Sequence, residues 1–253
     1  MADSDYTPTK FSDPDVTAKG ETRASVGWTG LKTLWLNTGT LCNIECTNCY
    51  IQSSPRNDRL VYLSRSDVRQ FLDEIDQPIE IGITGGEPFM CPDILHIMED
   101  VLSDGHSLLL LMRPRIQQGL DRLAAHYGER MVLRVSLDSH DPAIHDAERG
   151  EGAFEEACKG LKWLGERAVQ VAIAGRQALN EDDAEARAAY GALAGALGLS
   201  IDPTNTKQLV LFPEMIARDD PPEITTDCWG ILNKSPDDIM CANQRMVIRR
   251  KGA

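Results

Sequence analysis

Apolar positions along the chain alternate between short continuous runs and longer stretches at helical spacing. The runs "LKTLWLNTG" (31–39), "PIEIGITGGEP" (78–88), "HSLLLLM" (106–112), "RMVLRVSLD" (130–138) and "VQVAIAG" (169–175) predict buried strands. "LSID" (199–202) and "KQLVLF" (207–212) predict two late strands. Between them, helices are predicted over "SRSDVRQFLDEIDQ" (64–77), with a serine as N-cap, and "PDILHIMEDVLSDG" (92–105), which starts with proline and ends at glycine. Further helices are predicted over "RIQQGLDRLAAHYG" (115–128), "AFEEACKGLKWLGERA" (153–168) and the alanine-rich "EDDAEARAAYGALAGALG" (181–198), with its acidic first turn.

Strands alternating with helices of this length imply right-handed βαβ units and a parallel sheet, and five or six such units make an open or closed barrel. Ligands of such folds sit at the C-terminal ends of the strands. Three unusual segments fall on that rim: the cysteine loop after the first strand, "TGGEP" after the second, and "SLDSHD" (136–141) after a later one. Residues 1–27 read as a polar lead-in, 28–216 as the barrel, and 217–253 as a linker with a double proline followed by a short C-terminal extension.

Composition changes this picture little: of 253 residues, 42% are hydrophobic and 26% charged, as in ordinary globular proteins. The longest apolar run is far too short to span a bilayer, so no membrane is expected. The polar, acidic start lacks the features of an export signal, so the expected location is cytoplasmic. A net charge of −13 repels polyanions, which speaks against nucleic acid as a partner and otherwise serves solubility. Seven cysteines without an export signal favour thiols and metal ligands over a disulfide framework.

Three of the seven, Cys42, Cys46 and Cys49, lie in "LCNIECTNCY" (41–50). A closed zinc site needs a fourth ligand, and no second cysteine or histidine pair at finger spacing supplies one. Redox chemistry at "CTNC" leaves Cys42 idle. The loop between the thiols is too polar for a purely buried role. An iron–sulfur cluster fits better: three thiolates hold three corners and leave one iron open.

"CNIECTNC" is a CxxxCxxC segment, and it resembles the signature of the radical SAM enzymes. The resemblance covers about residues 31–215 and includes "TGGEP" (84–88) and "VSLDSHDPAIHDAERGEGAF" (135–154). It implies an α/β fold, a partial (β/α)6 TIM-type barrel. It also implies a [4Fe–4S] cluster on Cys42, Cys46 and Cys49, whose open iron is chelated by S-adenosylmethionine (SAM). One electron then cleaves SAM to a 5′-deoxyadenosyl radical that takes hydrogen from a substrate. Gly85 and Gly86 let backbone approach the ligand, Glu87 orients that loop or meets the amino group, Ser136 and Asp138 meet ribose hydroxyls, and Arg149 pairs with the carboxylate. Tyr50 shields the cluster. A peptide or small-molecule substrate and an electron donor such as flavodoxin or ferredoxin are the implied partners.

Two departures from the family pattern stand out. Asn48 occupies a position that is often aromatic, and the third strand runs into its helix without the expected rim turn. Beyond the barrel, "CANQRMVIRRKGA" (241–253) resembles the first half of the hairpin in SPASM or twitch extensions. That resemblance implies an auxiliary cluster on Cys228 and Cys241; a single cluster's iron per chain would rule it out. Cys91 and Cys158 read as buried small hydrophobes. His140 and His145 flank the ribose segment, and His145 is expected in a surface or loop role. The alternative for the whole chain is a non-catalytic iron–sulfur or zinc-binding protein.

Overall fold

The computed structural model describes residues 9–112, 118–178, 180–214 and 220–252. The chain forms two compact units, one of Met1–Lys32 with Met215–Arg245 and one of Thr33–Glu214 with Met246–Ala253. The lead-in and the segment after residue 217 therefore lie largely in the same unit.

The larger unit alternates strand and helix as the apolar periods predict. Its strands are β1 (Thr33–Asn37), β2 (Glu80–Thr84), β3 (Ser107–Met112), β4 (Met131–Ser136), β5 (Gln170–Gln177) and β6 (Leu209–Pro213). The helices between them are α1 (Arg65–Leu72), α2 (Ile94–Ser103), α3 (Gln118–Tyr127), α4 (Pro142–Arg149), α5 (Ala153–Gly165) and α6 (Asp183–Ala196). All five pairings among these strands are parallel. Sheet order is β6-β5-β4-β3-β2-β1-β7, with β7 (Gln244–Val247) at the far edge. The sheet curls into a half-barrel. Its core is the helix-covered face, where Leu36, Ile81, Ile83, Leu110, Leu133 and Ile173 are fully buried.

Local chemistry sets the helix ends. Ser64 caps α1 in a reciprocal box with Asp67, as the N-cap serine predicts. Asp141 caps α4 through the Ala143 and Ile144 N–H groups, with Pro142 in the first turn and Gly150 at φ 103° ending it. This eight-residue helix was not legible as a separate element. The expected strand at 199–202 does not form: Asp202 instead turns the chain, its carboxylate accepting from the Thr204 N–H at 2.9 Å and hydroxyl at 2.7 Å. Residues 113–117, where the rim turn was missed, lie outside the described residues.

The smaller unit contains α7 (Asp227–Ile231) and α8 (Met240–Asn243). Arg23 there donates to Glu223 at 2.5 Å, and the Thr29 N–H donates to the Ala242 carbonyl at 2.8 Å. Three acceptances, from the Phe11 and Ala18 N–H groups and from Arg23, hold the Glu223 carboxyl down at about 2. No helix of the described residues is long and apolar enough to cross a membrane.

Candidate active site

The loop after β1 is built by backbone pairing rather than by regular structure. The Cys42 N–H donates to the Ser54 carbonyl at 3.1 Å, and Leu41 and Ser54 form an isolated parallel bridge. The Cys49 N–H returns to the Cys46 carbonyl at 3.3 Å, and Gln52 N–H to Cys49 at 3.0 Å. Cys42 is buried, Cys46 and Cys49 are half-buried, and no disulfide joins any of the seven cysteines. The three thiols share one electrostatic neighbourhood. Burial pushes the Cys46 thiol up, Arg149 pulls it back, and Cys42, Asp138 and Cys49 add to the rise.

The end of β2 is locked onto this loop. The Gly86 N–H donates to the Gly39 carbonyl at 2.8 Å and the Glu87 N–H to Leu41 at 3.2 Å. A Cβ on Gly86 would sit 2.1 Å from the Leu41 carbonyl oxygen and 3.0 Å from the Cys42 Cβ. Gly85, at φ 143°, would put a Cβ 2.5 Å from the Thr38 hydroxyl. Gly86 is thus required by close packing against the cysteine loop, and Gly85 by its positive φ and the approach of Thr38 and Gly39. Glu87 is 1% exposed, and its carboxylate accepts from the Phe89 N–H at 3.0 Å, capping the short turn Pro88–Met90. Tyr50 is exposed, with its hydroxyl 3.3 Å from that of Thr84.

Ser136 ends β4 with its partner Ala174 on β5. Asp138 lies just beyond, 8% exposed, and forms a two-point ion pair with Arg149: Nε at 2.5 Å and Nη2 at 3.1 Å. Arg176 Nε approaches the same carboxylate at 3.4 Å. Burial alone would raise the Asp138 carboxyl; the Arg149 hydrogen bonds and charge, with Arg176 and His145 behind them, outweigh it and hold it low. Burial opposes the Arg149 charge, and the Asp138 contact overrides that, keeping the guanidinium protonated.

His145 is a correction to the sequence reading. It is 1% exposed, not on a surface or loop, because α4 turns it inward, where the Asp138 N–H donates to its Nδ1 at 3.1 Å. Sequence reasoning also missed Arg176 and Glu148. Asn48 donates to the Glu148 carboxylate at 2.8 Å, Thr47 N–H donates to the Glu148 carbonyl at 3.1 Å, and Arg176 donates to the Asn48 carbonyl at 3.0 Å. The position that departs from the family pattern thus tethers the cysteine loop to α4 and β5. The only signal for Arg176 was a polar residue at the rim end of a strand.

Of the remaining cysteines, Cys91 is buried as expected, while Cys158 is half-buried. Burial pushes both thiols up, which suits inert thiols rather than thiolates. Cys228 sits in α7, where its sulfur accepts from the Thr225 N–H at 3.4 Å, and Cys241 is exposed in α8. Among the described residues, no three histidine, cysteine or carboxylate side chains close on a point that would hold a single metal ion.

The residues around the cysteines suit an iron–sulfur cluster. The Ser53 N–H donates to Cys49 Sγ at 3.2 Å, and the buried Ser53 hydroxyl has no hydrogen-bond partner. The Ser53 N–H donor suits a sulfur that carries negative charge.

Comparisons with known proteins agree. The Radical SAM superfamily profile matches residues 36–188. The subtilosin biosynthesis protein AlbA of Bacillus subtilis is 30% identical over 141 residues, covering 53% of this chain and 30% of that protein. The mycofactocin maturase MftC of Mycolicibacterium smegmatis is 26% identical over 127 residues, covering 49% and 31%. The fold of Streptococcus suis SuiB bound to S-adenosylmethionine superposes with a TM-score of 0.58 at 14% identity, covering 87% of this chain and 50% of that one. The chain thus spans about a third of the length of these curated relatives. Members of the matched family use a [4Fe–4S] cluster and SAM. With the profile covering most of the half-barrel and the cysteine loop at its mouth, this chain belongs to the radical SAM superfamily.

Proposed function

We propose that the chain is the catalytic half-barrel of an enzyme that reductively cleaves SAM and abstracts hydrogen from a peptide. The observation that carries this is the cysteine loop after β1, pinned by Gly86 and Glu87 from β2 and by Glu148 and Arg176 from the far side. Cys42, Cys46 and Cys49 hold the [4Fe–4S] cluster. When bound, the cluster and SAM supply one electron and a carbon-centred 5′-deoxyadenosyl radical.

The protein's own work is positional. Gly85 and Gly86 keep the β2 end in contact with the cluster loop, and Glu87 stiffens it. Ser136 offers its hydroxyl to the ribose. Asp138 holds Arg149 through Nε and Nη2, which leaves the Nη1 donors for the SAM carboxylate. Tyr50, whose hydroxyl lies 3.3 Å from that of Thr84, shields the cluster in this proposal. The buried Cys42 and the half-barrel limit water around the reacting groups.

A peptide is the substrate class that the relatives' names favour. AlbA serves bacteriocin biosynthesis, MftC is a maturase, and SuiB has been seen bound to its precursor peptide SuiA. A small molecule is the second reading, favoured by the GTP 3′,8-cyclase of Actinobacillus succinogenes, 27% identical over 132 residues. A ferredoxin or flavodoxin is the physiological electron donor in this proposal, and the cytoplasm its compartment.

The test is 5′-deoxyadenosine formation from SAM with dithionite, using anaerobically reconstituted protein. Wild type is expected to form it and Cys46→Ala to fall to background. Equal formation by the two proteins refutes the cluster assignment. SAM binding without turnover supports the non-catalytic alternative.

A further inference from the structure

Three buried side-chain atoms among the described residues have no hydrogen-bond partner: Ser53 Oγ, Arg176 Nε and Arg134 Nε. Ser53 sits beside Cys49, and Arg176 still faces Asp138 at 3.4 Å. Arg134 has no such explanation. Among the described residues its one hydrogen bond is from Nη2 to the Lys207 carbonyl at 3.4 Å, and no carboxylate stands within ion-pair distance of it. Burial pushes its pKa down, with only the more distant charge of Glu80 opposing. The residue is half-buried with its Nε shielded from solvent, and a shielded donor without a partner is costly unless an incoming acceptor satisfies it.

The register fixes which side of the sheet Arg134 occupies. A Cβ on Gly175 would strike the Tyr190 ring of α6, so Gly175 faces the helices and its neighbours Ala174 and Arg176 face away. Ser136 pairs with Ala174 and Arg134 with Ala172, which puts Arg134 and Ser136 on the helix-free, concave face. Arg134 lies two residues below Ser136, about 7 Å deeper at a rise of about 3.3 Å per residue.

We propose that Arg134 is a specificity-determining residue that binds a carboxylate of the substrate within the half-barrel. This rests on the peptide reading above and narrows it to peptides presenting a carboxylate, from an acidic side chain or a free C-terminus. An arginine fork suits a carboxylate geometrically, and its charge-assisted bonds are strong where water is excluded.

Calorimetry on the reconstituted, SAM-loaded protein tests this with three synthetic peptides and one small dicarboxylate. The peptides are acetyl-Ala-Ala-Glu-Ala-Ala-amide, the same sequence with Gln in place of Glu, and that Gln peptide with a free C-terminal carboxylate; the dicarboxylate is glutarate. A carboxylate-bearing peptide is expected to bind at least about tenfold tighter than the all-amide peptide. The preference should vanish in Arg134→Met and return in part in Arg134→Lys, which separates loss of the contact from loss of the fold. Equal binding of all three peptides overturns the role of Arg134 and leaves the peptide reading standing. Arg134-dependent binding of glutarate alone keeps the carboxylate subsite and overturns the peptide reading. A preference that survives Arg134→Met, or no binding of any carboxylate, overturns the proposal.

Discussion

Asp138→Asn is expected to lower the unfolding free energy by about 3–5 kcal/mol, the cost of breaking a buried ion pair from one side. Both partners are nearly covered, with side-chain exposures of 8% for Asp138 and 13% for Arg149, so solvent does little to soften the loss. The substitution keeps the shape but removes the charge that two guanidinium groups face. Arg149 would be left buried without a counter-ion, and Arg176 would lose its anchor on the tether to Asn48. The melting temperature should therefore fall together with iron retention by the cysteine loop. The same pair sets an acid limit. The Asp138 carboxyl is held below its unfolded value, so its contribution is complete above about pH 4 and is lost as pH falls through the lower folded value. Asp138→Asn should flatten that part of the stability-versus-pH curve. A variant with wild-type stability and iron content would show that the pair carries no structural weight.

Gly86→Ala is expected to do comparable damage by a different route. The added methyl would fall 2.1 Å from the Leu41 carbonyl oxygen, a backbone atom that cannot rotate away. The β2 end and the cysteine loop must then separate, breaking the bonds from Gly86 to Gly39 and from Glu87 to Leu41. Overpacking of this kind costs about 1–3 kcal/mol in cores that can adjust, and more where backbone blocks the relief. The diagnostic is the split between fold and cluster. The helix content of the purified protein should survive, while its cluster absorbance after reconstitution should fall well below wild type. Full reconstitution of Gly86→Ala would show that the close approach is dispensable.

The strand–helix alternation was legible because each element carries its own local period. Leu34 and Leu36, Ile81 and Ile83, and Leu108 and Leu110 all fall on buried positions of predicted strands. The cysteine and glycine segments were legible because a thiolate triplet and a double glycine have few other uses. The ties among them were not. Asp138 with Arg176, Arg176 with Asn48, and Asn48 with Glu148 join residues far apart in sequence, and no local pattern marks such partners. His145 was misplaced for a related reason: α4 is short, and without it the histidine had no inward-facing side to occupy. Asn48 changed meaning most. In sequence it was a departure from a family pattern; in the structure its side chain and carbonyl both hold the cysteine loop.

The central claim is that Cys42, Cys46 and Cys49 hold a cluster with one iron open to SAM. Electron paramagnetic resonance of the dithionite-reduced, reconstituted protein tests it most directly. The account predicts a [4Fe–4S] signal whose shape changes when SAM is added, and its loss in Cys46→Ala. A cluster signal indifferent to SAM, or one that persists unchanged in Cys46→Ala, would contradict it.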